Sequence, residues 1–124
     1  MREIPDRPSG WRRLVNAFGY SLAGLVTAFR NEPAFRQIVA LNAVLIPVSF
    51  LLSVSALERT LLIAVCLLAV IVELINSAIE AAIDRISLEF HPLSKNAKDM
   101  GSAAQLIALV IIIATWVGVL WGSV

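Results

Sequence analysis

Three apolar stretches, each about as long as a bilayer-crossing helix, dictate most of what this chain can become. A helix needs about 20 mostly apolar residues to cross a hydrocarbon core of about 30 Å. The first stretch, residues 37–57, holds no charged side chain, although Asn42 and Pro47 interrupt it. The second helix, residues 60–86, opens with the unbroken run Thr60 to Val72 and continues with polar positions from Glu73. The third helix covers residues 98–121, and its apolar part from Ser102 to Trp121 has Gln105 as its only strong polar group. Period-two alternation is missing, and three strands cannot close a barrel. Composition agrees: hydrophobic residues make up 59 % and charged residues 15 %, against about 25 % charged in soluble domains. The 124 residues are room for one domain, 1–124. A net charge of +1 argues against nucleic acid as a partner, and one cysteine excludes a disulfide framework or a multi-cysteine metal cluster. An all-α integral membrane protein is expected.

Orientation follows from the basic residues. Arg2, Arg7, Arg12, Arg13, Arg30 and Arg36 precede the first span, while Arg85, Lys95 and Lys98 lie between the second and third. Only Arg59 occupies the turn between the first two spans. The side with nine of the ten basic residues is expected to be the cytoplasm, which puts the N-terminus there. Residues 11–30 carry Trp11, Leu14, Val15, Phe18, Leu22, Leu25, Val26 and Phe29 at spacings of three and four. This stripe predicts an amphipathic helix, read first as a surface anchor in the headgroup layer and second as a roof over a cytoplasm-facing site. Asn31 and Pro33 predict a bend into the first span.

The second span carries the most informative pattern. Asn76, Ser77, Glu80 and Asp84 follow Glu73 at offsets of 3, 4, 7 and 11, so all five share one helix face. Glu73 lies roughly 18 Å along the helix from Arg85 at 1.5 Å per residue. A charge near the bilayer centre costs roughly 2.5–3.5 kcal/mol on insertion scales, so such groups face inward and mark function by default. No Lys or Arg lies in the neighbouring apolar runs to pair with it. Asn76 and Ser77 alone would suit interhelical glue. Two glutamates about 10 Å apart along one face can instead divide roles, one as general base and one as ligand to a hard cation such as Mg²⁺. A proton relay would present the same pattern.

The connection from Arg85 to Ser102 is broken at His91-Pro92, with Ser94 the expected cap of the last helix. Lys95, Lys98 and Ser102 share a face there. The lysines could hold phosphates, or could be the ordinary basic residues of a cytoplasmic loop. His91 alone is a weak metal ligand. Trp116 and Trp121 suit an interfacial aromatic belt, and Cys66 suits inert packing. No GxxxxGK, GxGxxG or HRD motif is present, so a nucleotide would not be held as soluble kinases hold it.

Three segments, Asn31 to Gln37, Val72 to Glu80 and Ala97 to Ala103, together resemble the prokaryotic diacylglycerol kinase family, over nearly the whole chain from Trp11 to Trp121. The resemblance implies a homotrimer with a surface helix and three transmembrane helices per subunit, sites built across subunit contacts, and residence in the bacterial inner membrane. It implies transfer of the γ-phosphoryl group of MgATP to the hydroxyl of diacylglycerol. By the same resemblance Glu73 is the general base and Asn76 orients it, while Glu32 and Glu80 hold Mg²⁺ on the ATP phosphates. ATP would also meet Arg13, Tyr20, Glu89, His91, Lys98 and Asp99. The lipid would meet Arg13, Ser21, Phe35, Arg36, Ser102 and Trp116 beside Glu73. Phe35-Arg36-Gln37 leans towards diacylglycerol over undecaprenol, the substrate of the Gram-positive branch. A non-catalytic membrane subunit or a proton-relay bundle is the competing class.

Overall fold

The computed structural model describes residues 9–122. Four helices follow one another: α1 (Trp11–Asn31), α2 (Pro33–Leu51), α3 (Ala56–Ile86) and α4 (Pro92–Gly122). The described residues form no strand. α2, α3 and α4 are each long and apolar enough to cross a membrane. At 1.5 Å per residue, α3 and α4 run to roughly 46 Å and α2 to roughly 28 Å. The two longer helices therefore overhang a bilayer core. Their overhang is polar, because α3 ends through Glu80, Asp84 and Arg85 and α4 opens through Lys95, Lys98 and Asp99. Up-down-up order places the start of α2, the end of α3 and the start of α4 together at this polar end.

Each helix boundary has a local cause, and several differ from the expected ones. α2 starts at Pro33 rather than near residue 37, because proline suits the first helical turn. Glu32 is the single non-helical residue between α1 and α2, with φ −116° and ψ 103°. Arg36 fixes this elbow by donating from Nη1 to the Phe29 carbonyl at 2.9 Å and the Arg30 carbonyl at 3.1 Å. α2 ends at Leu51 rather than residue 57. There Arg59, in the first turn of α3, donates to the carbonyls of Ser49 and Leu52, both at 2.9 Å. Ser55 and Glu58 form a reciprocal capping box that starts α3 at Ala56, ahead of residue 60. α4 begins at Pro92, so Ser94 is not its cap. His91 takes that place by accepting the Leu93 N–H on Nδ1 at 3.1 Å.

α3 is the central helix, packed on α4 along one side and α2 along the other, and the α2 and α4 backbones do not approach each other closely. The three spans form a row rather than a closed bundle. The core is small and built from short side chains, with Cys66, Ala69 and Ala108 among Ile38, Leu62, Val65, Ile112 and Trp116. Small residues let helix backbones approach where lipid tails supply no hydrophobic drive between helices. Asn42 ties α2 to α3, donating to its own helix at Ile38 O (3.0 Å) and across to Cys66 O (3.2 Å). Trp116 is buried in this core, which corrects the belt reading, whereas Trp121 is exposed. α1 is attached lightly: it buries only Ala28 and leaves its apolar stripe exposed. That is the geometry of a helix whose apolar face meets lipid.

Candidate active site

The stripe on α3 becomes a site because α4 covers its upper part. Glu73 is 3 % exposed, and Asn76 and Ser77 are buried beside it. Glu80, one turn or two towards the polar end, is half-buried and Asp84 is exposed. Burial thus falls along the stripe towards the polar end. No lysine or arginine meets Glu73; its partner is Gln105 of α4, whose Nε2 donates to Oε2 at 2.9 Å. The same Nε2 lies 3.2 Å from the Ala69 carbonyl. Asn76 adjoins Glu73 and rests against Gly101 of α4, where a Cβ would fall 2.0 Å from Asn76 Oδ1. Glu80 and Glu32 are the two other carboxylates near enough for their charge to act on Glu73.

Glu32 reaches this neighbourhood because the elbow directs it towards α3. A groove of about 640 Å³ runs between α1 and α3, lined by Ser21, Thr27 and Glu32 on one side and Ser77, Ala78 and Ala81 on the other. Beyond it, a second cleft of about 460 Å³ lies where α3 passes into α4, lined by Asp84, Glu89, His91, Lys95, Lys98 and Asp99. Lys98 Nζ is 2.8 Å from Asp84 Oδ1, and Lys95 pairs with Asp99 within α4. Both pairs are well exposed to solvent and contribute little to stability, about 0–1 kcal/mol each. Their lysines are held at the cleft yet can exchange partners.

The expected site residues therefore fall into groups. Asn76 adjoins Glu73, Glu80 and Glu32 are near enough for their charge to act on it, and of the four Glu32 lines the groove. Lys98, Asp99, Glu89 and His91 line the cleft. Ser21 lines the groove, although its hydroxyl donates to its own helix at Ala17 O. Arg13 and Tyr20 are exposed on α1, and Ser102 is exposed on α4. Phe35 is buried, and Arg36 is engaged at the elbow. Trp116 is packed in the core. Gln105 and Gly101 lie outside the expected set of site residues. Gln105 stood out only as the one strong polar group of its span, and its pairing with a residue 32 positions away needed the fold.

A membrane-embedded carboxylate, flanked by two more and bordered by a lysine-bearing cleft, defines a membrane enzyme acting at the boundary between lipid and water. The comparisons with known proteins agree. The family model for prokaryotic diacylglycerol kinase matches residues 19–120. A diacylglycerol kinase of Pseudomonas aeruginosa is 68 % identical over 114 residues, 92 % of this chain and 93 % of that protein. Diacylglycerol kinases of Helicobacter pylori strain 26695 and Escherichia coli K12 are 50 % and 48 % identical, over 92 % and 95 % of this chain and 89 % and 97 % of theirs. The chain belongs to the prokaryotic diacylglycerol kinase family.

Proposed function

We infer that this chain transfers the γ-phosphoryl group of ATP to the free hydroxyl of diacylglycerol within the membrane, giving phosphatidic acid and ADP. The observation that carries this reading is Glu73. It is a carboxylate buried at span depth, held by an amide rather than neutralised by a cation. Phosphoryl transfer asks chiefly for positioning and charge neutralisation. The lipid hydroxyl oxygen bonds to the γ-phosphorus, the bond to the β-phosphate bridging oxygen breaks, and Glu73 takes the hydroxyl proton. Asn76 keeps that carboxylate oriented. The lipid enters along the α1–α3 groove past Ser21, with Ser102 near its glycerol end. The nucleotide lies in the cleft against Lys98, Asp99, Glu89 and His91, and Arg13 and Tyr20 of α1 close over it.

The donor set suits Mg²⁺. Among the described residues no three Asp, Glu, His or Cys side chains gather into a self-sufficient cage. Nucleotide-bound Mg²⁺ needs only one or two protein carboxylates besides phosphates and water. Glu32 and Glu80 are half-buried and neither carboxylate takes a hydrogen bond or ion pair from another described residue. They would hold the ion, which supplies charge neutralisation on the phosphates.

The open row of helices supports the proposed assembly into a homotrimer. α2 and α4 expose large apolar residues on faces that a second copy can cover, and α1 of one subunit can then complete the cleft of another. The polar end faces the cytoplasm of the bacterial inner membrane, where ATP is available. The test is label transfer by the purified protein from γ-labelled ATP, with dioleoylglycerol and undecaprenol offered separately in mixed micelles. Label in phosphatidic acid is expected. Label only in undecaprenyl phosphate would move the chain to the other substrate. No transfer to either would leave the relay reading.

A further inference from the structure

We propose that Gln105 is a positioning residue for Glu73: its amide, delivered from α4, holds the carboxylate so that one oxygen is anchored and the other is presented to the lipid hydroxyl. This rests on the phosphoryl-transfer reading above. Gln105 is only 8 % exposed, on an otherwise apolar helix face that includes Ala108 and Ile112. A leucine would fill such a slot without burying a polar group. The amide Nε2 meets two acceptors on α3, the Glu73 carboxylate oxygen Oε2 and the Ala69 carbonyl. The amide orientation is dictated by chemistry, because the reverse flip would set Oε1 against a carboxylate and a carbonyl at once.

One unpartnered atom sharpens the argument. Gln105 Oε1 is buried and has no hydrogen-bond partner. An unmade hydrogen bond at a buried acceptor is unfavourable, so the side chain is kept for its donor end. On Glu73, Oε2 carries the bond from Gln105, and Asn76 is a second hydrogen-bonding neighbour of the carboxylate. The carboxylate is thereby anchored through Oε2 from the facing helix. Asn76 adjoins it from its own helix, whereas Gln105 reaches it from the helix opposite.

Interhelical fastening alone would give the same bond but a different response to mutation. Gln105→Met keeps the volume and removes the donor; Gln105→Asn keeps the polarity and shortens the reach. Wild type and both variants are compared in detergent for thermal unfolding and in mixed micelles for kcat and KM with dioleoylglycerol and ATP. A hydrogen bond to a charged group corresponds to roughly a tenfold to hundredfold effect on rate. The expected result is a fall in kcat of that size, with KM for ATP within about twofold and the Tm of Gln105→Met no lower than wild type. In a Glu73→Asp background, whose carboxylate sits one methylene further from the amide, Gln105→Met adds less than about twofold. Unchanged kcat in either folded variant overturns the inference. So does a loss that tracks a lowered Tm, or one that persists in full in the Glu73→Asp background. Wild-type protein that moves no phosphate to any lipid alcohol overturns the underlying reading, and this inference with it.

Discussion

Gly101 offers the sharpest test of how α4 serves the site. An added Cβ would stand 2.0 Å from Asn76 Oδ1 and 3.0 Å from Asn76 Cγ. Restoring ordinary contact, about 3.4 Å, moves the amide oxygen by about 1.4 Å. Asn76 is 8 % exposed, so it has no open space to retreat into. Overpacking of this kind costs about 1–3 kcal/mol. Replacing a helical glycine by alanine returns about 1 kcal/mol of helix propensity. The two nearly cancel, and Gly101→Ala is expected to lose at most about 2 kcal/mol of stability. Activity has no such offset. A misplacement of about 1 Å near reacting groups can cost about a hundredfold in rate. The expected outcome is a folded protein, with a Tm lowered by at most about 8 °C, whose kcat for dioleoylglycerol falls by one to two orders of magnitude. Kinetics in mixed micelles beside thermal unfolding in detergent decide it. A Gly101→Ala variant with wild-type kcat would refute the view that the Gly101–Asn76 contact seats the catalytic pair.

Glu73→Gln is expected to abolish label transfer while leaving Tm and oligomer size unchanged, since the new amide fills the same volume; measurable turnover above about one part in a hundred would remove Glu73 as the base. Glu32→Gln and Glu80→Gln are each expected to raise the Mg²⁺ concentration giving half-maximal rate by roughly tenfold, the loss of a charged ligand being worth about 1.4 kcal/mol or more. A Mg²⁺ titration that superimposes on wild type would count against their metal role. Arg59→Ala removes both side-chain donors to the end of α2, at Ser49 and Leu52. It should cost about 1–2 kcal/mol and several degrees of Tm with kcat unchanged, because Arg59 lies at the opposite end from the site.

The legible part of this protein was the part written in local periodicity. Three apolar runs gave three spans, the α1 stripe gave a surface helix, and the spacing from Glu73 to Asp84 put the carboxylates on one face. Boundaries were less legible because their causes are single contacts across several residues. Arg36 and Arg59 read as charge bias in the sequence, yet each caps a helix end through its guanidinium. His91 read as a weak ligand and serves α4 as its cap. Trp116 read as an interfacial anchor because it sits near a span end, and the rotation of α4 turned it into the core instead.

The covalent geometry of a helix repeats every 3.6 residues, so the chain alone determined that Glu73, Asn76, Ser77 and Glu80 form a stripe and that the stripe is sunk in an apolar span. It also fixed the excess of basic residues at one end. Which surface meets that stripe depends on the turn of α4 about its own axis, and close packing of Ala69, Cys66 and Ala108 sets that turn. Only the packed structure therefore decided that Gln105 reaches Glu73 and that Gly101 makes room for Asn76, because no local rule relates residues about 25 to 32 positions apart.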